Sequence, residues 1–447
     1  MQVFAQSAQI LRTFRSSISA LRLAIVIWFC GALFYFYKGM VVVSPSIMTE
    51  DLMRAFGVNG FALGVLAAWY YNAYAAMQIP LGIIMDRFGP KRVLVFSASL
   101  CSIGCFLFSS APSIEQASLG RLLMGAGSAC AYIGTLKLIT LWFPPHMNAR
   151  MIGLTMVMGT LGTTTGGRPL ALLIENMGWR SGVMVMAAIG STIALMIYFF
   201  VRDEQAPRSE IEHTYDQGGP QRKLTDGLKY VVRSVPTWLI SCYKLLMYVP
   251  LAAFSELWGV PYLMELYKID RADAAWMISF TFMGIAIFSP ITAALSDFIR
   301  SRKIPMIAGA VAAFIIYMMI IYIPNIPQSM MYVLLFVAGI AFTGQVIGFV
   351  SICEIMPIWA SGVSLGVANM TVMLSGVIFE PLIGKLLDVV WNGTITNGIR
   401  DYTLSNYHVA LSVIPMALFA SIAVIYFVPE TFKRHGQTVP STPKDTA

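Results

Sequence analysis

The feature that most constrains this chain recurs along its length: stretches of roughly 20 apolar residues with no charge among them. Residues 93–111, VLVFSASLCSIGCFLFSSA, form one, and residues 311–323, VAAFIIYMMIIYI, with their flanks form another. A soluble domain cannot hide so many such runs, because its surface must face water; soluble domains carry about 25% charged residues. Here 12% of the 447 residues are charged and 57% are hydrophobic. The runs read as membrane-spanning helices, whose backbone polar groups are satisfied internally.

Cutting the chain at polar and Gly/Pro-rich turns predicts twelve spans, near 23–44, 61–84, 91–110, 119–142, 149–174, 182–201, 238–263, 274–296, 304–323, 330–356, 362–387 and 408–428. The expectation is an all-α polytopic membrane protein of two six-helix bundles, 1–201 and 238–428. Between them lies a polar loop, 202–237, and after them a polar, Pro-containing tail, 429–447, expected to be disordered. No small-residue cleavage site follows the first run, so it reads as a retained helix rather than a signal peptide. The formal charge of +8 does not call for nucleic acid. With the N-terminus inside, loops on the cytoplasmic face hold about 19 Lys/Arg and the outer loops about 6, as the positive-inside rule requires. Both termini are then cytoplasmic, in a bacterial inner membrane. Cys30, Cys101, Cys105, Cys130, Cys242 and Cys353 all fall in apolar runs without metal-ligand spacing and read as small core residues.

The chain repeats itself. GIIMDRFGPKR, after span two, has a weaker counterpart in AALSDFIRSRK after span eight. At a spacing of roughly 211 residues Asp297 answers Asp86, Pro357 answers Pro144, Gly366 answers Gly153, and Glu380-Pro-Leu answers Arg168-Pro-Leu. Two related halves are a common plan among secondary transporters.

With GxxxDRxGxKR, its degenerate copy, twelve spans and a central polar loop, the chain resembles the major facilitator superfamily. GRLLMGAGSA, with Arg121, Gly125 and Gly127, resembles that family's span-four motif. YFYKGMVVVSPSIM and YYNAYAAMQIPLG resemble the bacterial sugar-phosphate-permease-like and organic-anion branches. The resemblance implies a gating role for Gly82, Asp86, Arg87, Gly89, Lys91 and Arg92, and for Asp297 and Arg300 in the second copy. Asp86 would dock on the N-terminus of span eleven, near residues 361–364, where a helix carries about half a positive charge. Gly82, one turn earlier, would let the two helices approach closely. The chain departs from the family at Pro90, where a basic residue is usual. Ordinary loop charge accounts for Arg87, Lys91 and Arg92, but not for Asp86.

A charge near the bilayer centre costs at least ~2.5 kcal/mol, so each one is a functional candidate. Lys38 in span one and Glu256 in span seven lie at similar depth in equivalent spans, which line the cavity in this family. They form a gating salt bridge, or grip the two ends of a zwitterion, or Lys38 snorkels outward. Lys137 and Glu354 lie nearer the cytoplasmic ends of spans four and ten, cavity-lining by the resemblance, where they contact substrate, snorkel to the interface or form an inner-gate pair. Arg168 and Glu380 are repeat equivalents; around Arg168, GTLGTTTGGRPL only partly matches an antiporter signature. Glu256, Glu380 and Glu354 are the proton-coupling candidates, since desolvation favours a protonated carboxyl. Tyr35, Tyr37, Tyr70, Tyr71, Asn72, Tyr74, Gln78, Gln345, Asn369 and Trp258 can supply hydrogen bonds to a ligand, although helix packing explains any single aromatic equally well.

No phosphate-cradling loop, nucleophile constellation or metal cluster is legible, so an enzyme and a bound cofactor are not expected. The reading is a monomeric secondary transporter that moves a small polar or charged metabolite (an amino acid, short peptide or organic anion) by alternating access, coupled to protons. Two alternatives stand: efflux of hydrophobic compounds, which 28 methionines would suit, and a transport-dead membrane sensor.

Overall fold

The computed structural model describes residues 2–203, 224–396 and 398–432. Twelve long helical stretches follow the predicted order: α1 (Gln2–Val43), α2 (Gly60–Phe88), α3 (Pro90–Ser109), α4 (Ile114–Trp142), α5 (Pro145–Met177), α6 (Trp179–Phe200), α7 (Val235–Tyr267), α8 (Arg271–Ile299), α9 (Lys303–Tyr322), α10 (Gln328–Ile355), α11 (Ile358–Val389) and α12 (Leu404–Phe427). Ten described helices are long and apolar enough to cross a membrane, and α2, bent by 111° against the short helix Thr49–Phe56, makes eleven. The exception is α5. Its Gly/Thr-rich middle is spent on packing against α1: a methyl on Gly162 would stand 1.9 Å from the Phe36 carbonyl oxygen, and one on Gly166 2.6 Å from Met40.

Local chemistry sets the boundaries. The Asn59 side chain accepts the Ala62 N–H at 3.0 Å and starts α2. Gly89 ends α2 at φ 78°, a conformation glycine adopts without penalty, and Pro90 opens α3 where no N–H is needed. Pro144 and Pro357 stand before α5 and α11 with nearly identical backbones, φ/ψ −66°/150° and −63°/148°, so the repeat seen in sequence is also a structural register. One segment breaks the regular pattern. Residues Pro250–Trp258 of α7 are wound as a π-helix, wider than an α-helix, beginning at a proline that cannot donate.

The two halves meet mainly along α2 and α11. Their separation changes steadily along their length. A methyl on Gly384 would stand 2.1 Å from the Gly60 carbonyl oxygen, one on Gly376 2.5 Å from the Tyr71 ring, and one on Gly366 3.4 Å from the Gln78 carbonyl oxygen. On Gly362 or Gly82 it would meet nothing within 4 Å. The halves are therefore shut at the face where α2 begins and splayed at the face carrying the charged α2–α3 and α8–α9 loops. Gly82 is thus no close-approach point in this conformation; glycines at the other end of the helix pair serve that purpose.

Three further expectations change. The loop between α6 and α7 contains a helix, Leu224–Arg233, packed on α11 through Tyr230 against Trp359 and Gly227 against Val363. Cys242 and Cys353 are exposed on helix surfaces instead of buried. The start of the tail is docked, as described below, while residues 433–447 lie outside the described residues.

Candidate functional site

Between the halves, on the splayed side of the closure, polar groups from five helices come together. Lys38 of α1 is half-buried with its Nζ 5.8 Å from the centre of the Tyr74 ring of α2. Tyr35 packs beside Tyr132 at 5.2 Å. From the other half, Glu256 is buried and its Oε1 accepts the Tyr248 hydroxyl at 3.3 Å, while Oε2 has no partner. In a regular α-helix residues eight apart diverge by about 80°; the wider π turns bring Tyr248 beneath Glu256. No direct salt bridge joins Lys38 and Glu256 among the described residues, so the gating bridge is not formed in this conformation. The floor is a cross-half bond in which Asn369 Nδ2 donates to Gln78 Oε1 at 2.8 Å.

Behind this group lies a drier one. Arg121 is 1% exposed; it donates to the Val41 carbonyl at 3.1 Å and lies 4.8 Å from the centre of the Tyr70 ring. Glu380 is equally buried and has an unpartnered Oε2, as do the hydroxyls of Tyr70 and Tyr71. Gly125 and Gly127 admit the backbones of α2 and α3: a methyl on either would stand 2.0 Å from the Tyr70 carbonyl oxygen or 2.5 Å from that of Ser97. The Trp258 N–H donates to the Glu380 carbonyl at 3.1 Å, a packing tie and no ligand contact. Tyr37 hydrogen-bonds Cys105 at 3.1 Å inside its own half.

Several predicted site residues lie elsewhere. Asn72 is exposed on the outer surface of α2, bonded to the Ala68 carbonyl at 3.1 Å, because its position faces away from the partner half. Gln345 is buried on α10, and Lys137 is half-buried on α4. Glu354 sits in a charged cluster with Arg302 and the start of the tail. Its Oε1 accepts Arg302 Nη2 at 2.8 Å and Nε at 3.0 Å, and its Oε2 accepts the Thr431 hydroxyl at 2.9 Å. Arg300, the predicted gating residue, merely ends α8 in a left-handed conformation at φ 57°. It is Arg302 that reaches Asp297, at 2.6 Å. Burial works against the Arg302 charge, but its bonds to Glu354 and Asp297 outweigh that and hold its pKa above the ordinary value.

The same face shows how the tail docks. Glu430 accepts the backbone N–H of Arg302 at 2.8 Å and of Lys303 at 3.2 Å, placing a carboxylate on the N-terminus of α9. Burial pushes the Glu430 carboxyl up, but the Ser301 hydroxyl and the N–H groups of Arg302, Phe432 and Lys303 together hold it below the usual value of 4.5. In the first half Asp203 does the equivalent for α3, accepting the Lys91 N–H at 2.9 Å. Arg87 lies over Phe88 and Lys91 over Tyr198. The Asp86 side chain lies outside the described residues. The π segment, Arg302 and Asp388 (below) had no signal in sequence reading beyond Pro250 and the charges themselves.

The sequence model of the Major Facilitator Superfamily matches residues 27–267 and again 257–445, once per half. A probable sulfoacetate transporter of Cupriavidus necator is 24% identical over 62% of this chain and 66% of the relative. A probable anion transporter of Oryza sativa subsp. japonica is 23% identical over 77% of this chain and 83% of the relative. Among solved structures, a bacterial homolog of the human lysosomal transporter Spinster, inward-facing and unoccupied, superposes with a TM-score of 0.70 at 15% identity, covering 92% of this chain and 95% of that one.

Proposed function

Because the chain belongs to the Major Facilitator Superfamily, we propose that it carries a small organic anion across the inner membrane by alternating access, coupled to protons. The observation that carries this reading is Lys38. It is a half-buried cation within the first span, its Nζ over the Tyr74 ring, with no carboxylate bridged to it among the described residues. An unpaired buried charge is costly, and an incoming carboxylate or sulfonate relieves that cost. The names of the relatives, a sulfoacetate and an anion transporter, support the same class. The positive-inside rule makes the splayed face cytoplasmic, so this conformation is inward-open.

Glu256 is the coupling residue in this reading. Its buried carboxylate has one oxygen without a partner, the place a transported proton would occupy. A second reading rests on that same free oxygen: a substrate with an ammonium or hydroxyl opposite its anionic group would be held between Lys38 and Glu256.

Purified protein in liposomes tests both. Hydrogen bonds to charged groups are worth about 1.5–3 kcal/mol. Lys38→Gln should therefore weaken uptake of sulfoacetate or a competing carboxylate about ten- to hundredfold, with partial recovery in Lys38→Arg. Glu256→Gln should lose uphill accumulation while labelled-for-unlabelled exchange continues, because exchange moves no net proton. Undiminished uptake in Lys38→Gln removes the anion site, and uphill accumulation by Glu256→Gln removes the coupling role.

A further inference from the structure

Asp388 stands near the C-terminal end of α11, at the shut face. Its carboxylate reaches into the other half and lies on the N-terminus of α2. Oδ1 accepts the Gly60 N–H at 3.2 Å, and Oδ2 accepts the Phe61 N–H at 2.8 Å. On its own side it accepts Arg400 Nη1 at 2.9 Å and the Tyr402 hydroxyl at 2.6 Å. The Tyr402 oxygen in turn accepts the Gly60 N–H at 3.0 Å. A short hairpin, β1 (Ile395–Thr396) with β2 (Ile399–Arg400), presents Arg400 from the α11–α12 connection.

The N–H groups of a helix's first turn have no partner inside the helix. A carboxylate there gains both hydrogen bonds and the favourable end of the helix dipole. What distinguishes Asp388 is that its helix belongs to the opposite half. The bonds exist only while the ends of α2 and α11 are in contact, and Gly60 and Gly384 are the positions that permit that contact. If the halves part here, the carboxylate keeps Arg400 and Tyr402 but loses both N–H partners.

We propose that Asp388 is a positioning residue for transport, the latch that holds the outer gate shut while the cavity is open to the opposite side. The arrangement mirrors, at the other end of the same helix pair, the one expected for Asp86. Asp86 lies near the C-terminal end of α2 and would reach the N-terminus of α11, and Asp388 lies near the C-terminal end of α11 and reaches the N-terminus of α2. Each helix carries the carboxylate for the other, at opposite membrane faces. The two N-termini cannot both be occupied, because α2 and α11 diverge towards one face when they close at the other.

Two more arginines make cross-half bonds. Arg271 donates to the Ile47 carbonyl at 3.2 Å and pairs with Asp51, and Arg168 pairs with Asp273 at 3.2 Å. The Arg168 pair is half-exposed on both sides, so it contributes little. Asp388 is the better-buried acceptor, its side chain 11% exposed.

The test uses the full chain in nanodiscs, labelled through an unnatural amino acid so that the native cysteines stay. One pair of spin labels spans the outer face, at Arg54 and Gln328, and one spans the other, at Arg150 and Lys229; all four residues are exposed and none has a role in the latch or in the charged motifs. Asp388→Asn should raise the ratio of outward-open to inward-open distances about tenfold, the value of one charge-assisted bond of ~1.4 kcal/mol, and Asp388→Glu should recover part of it. Tyr402→Phe, which removes one hydroxyl without touching the carboxylate, should shift the ratio the same way by less. A purely structural role would lower the melting temperature and leave the ratio where it was. Unchanged distances in a folded Asp388→Asn or, should that variant not fold, in Tyr402→Phe would overturn the latch.

Discussion

Gly384→Ala offers the most direct way to set the conformational equilibrium by hand. The added methyl would stand 2.1 Å from the Gly60 carbonyl oxygen, 2.5 Å from its carbon and 3.0 Å from the Phe61 nitrogen. All three are backbone atoms at the start of a helix, so no flexible side chain can swing away. The helices must separate by about 1 Å, and overpacking of this kind costs about 1–3 kcal/mol. That cost falls on the conformation in which the helix ends touch and vanishes when they part. The population open at this face should therefore rise about five- to 150-fold relative to the one open at the opposite face. Hydrogen–deuterium exchange reads the change: the first turn of α2 and last turn of α11 should exchange faster, and the opposite ends, near Gly82 and Gly362, more slowly. Gly82→Ala is the control, since a methyl there meets nothing within 4 Å. A lower melting temperature for Gly384→Ala with exchange unchanged at both faces would refute the reasoning, because the close approach would then persist in every state.

Two further predictions concern the charged face. Glu430 is held below its ordinary 4.5 in the folded protein, so it stabilises at neutral pH and loses that contribution as pH falls through its folded value. Glu430→Gln should cost about 1 kcal/mol at pH 7, allowing for screening at an exposed position, and flatten the acid limb of melting temperature against pH; parallel curves for the two proteins would contradict this. Asp86→Asn keeps the volume and removes the charge expected to meet the α11 N-terminus. It should slow transport strongly at near-normal expression, and wild-type flux would exclude the inner latch.

Much of the architecture was legible before any coordinates. Uncharged runs of the right length impose helices because no other open-chain structure satisfies its backbone in lipid. The repeat of Pro144 in Pro357 and of Asp86 in Asp297 marks two halves, because the same local backbone recurs wherever the same turn is built. The charges of Lys38, Glu256 and Glu380 stood out for an equally local reason: their neighbours in sequence are apolar.

What only the tertiary structure decided depends on distances between spans far apart in the chain. Gly82 and Gly384 look alike as letters, yet one faces open space and the other a backbone oxygen, because α2 and α11 pack closely where α2 begins and diverge towards its charged end. Asn72 sits among tyrosines in sequence and points away from them in space, as the 3.6-residue period requires. Asp388 lies at a span's end, where charge is unremarkable; its meaning comes from Gly60 and Phe61, more than 300 residues away in sequence. Arg302 rather than Arg300 closes the second motif because a left-handed residue at the end of α8 turns the chain before the guanidinium emerges. Sequence periodicity says which residues share a face of one helix; which faces meet, and at which end, is settled by packing two halves of the chain against each other.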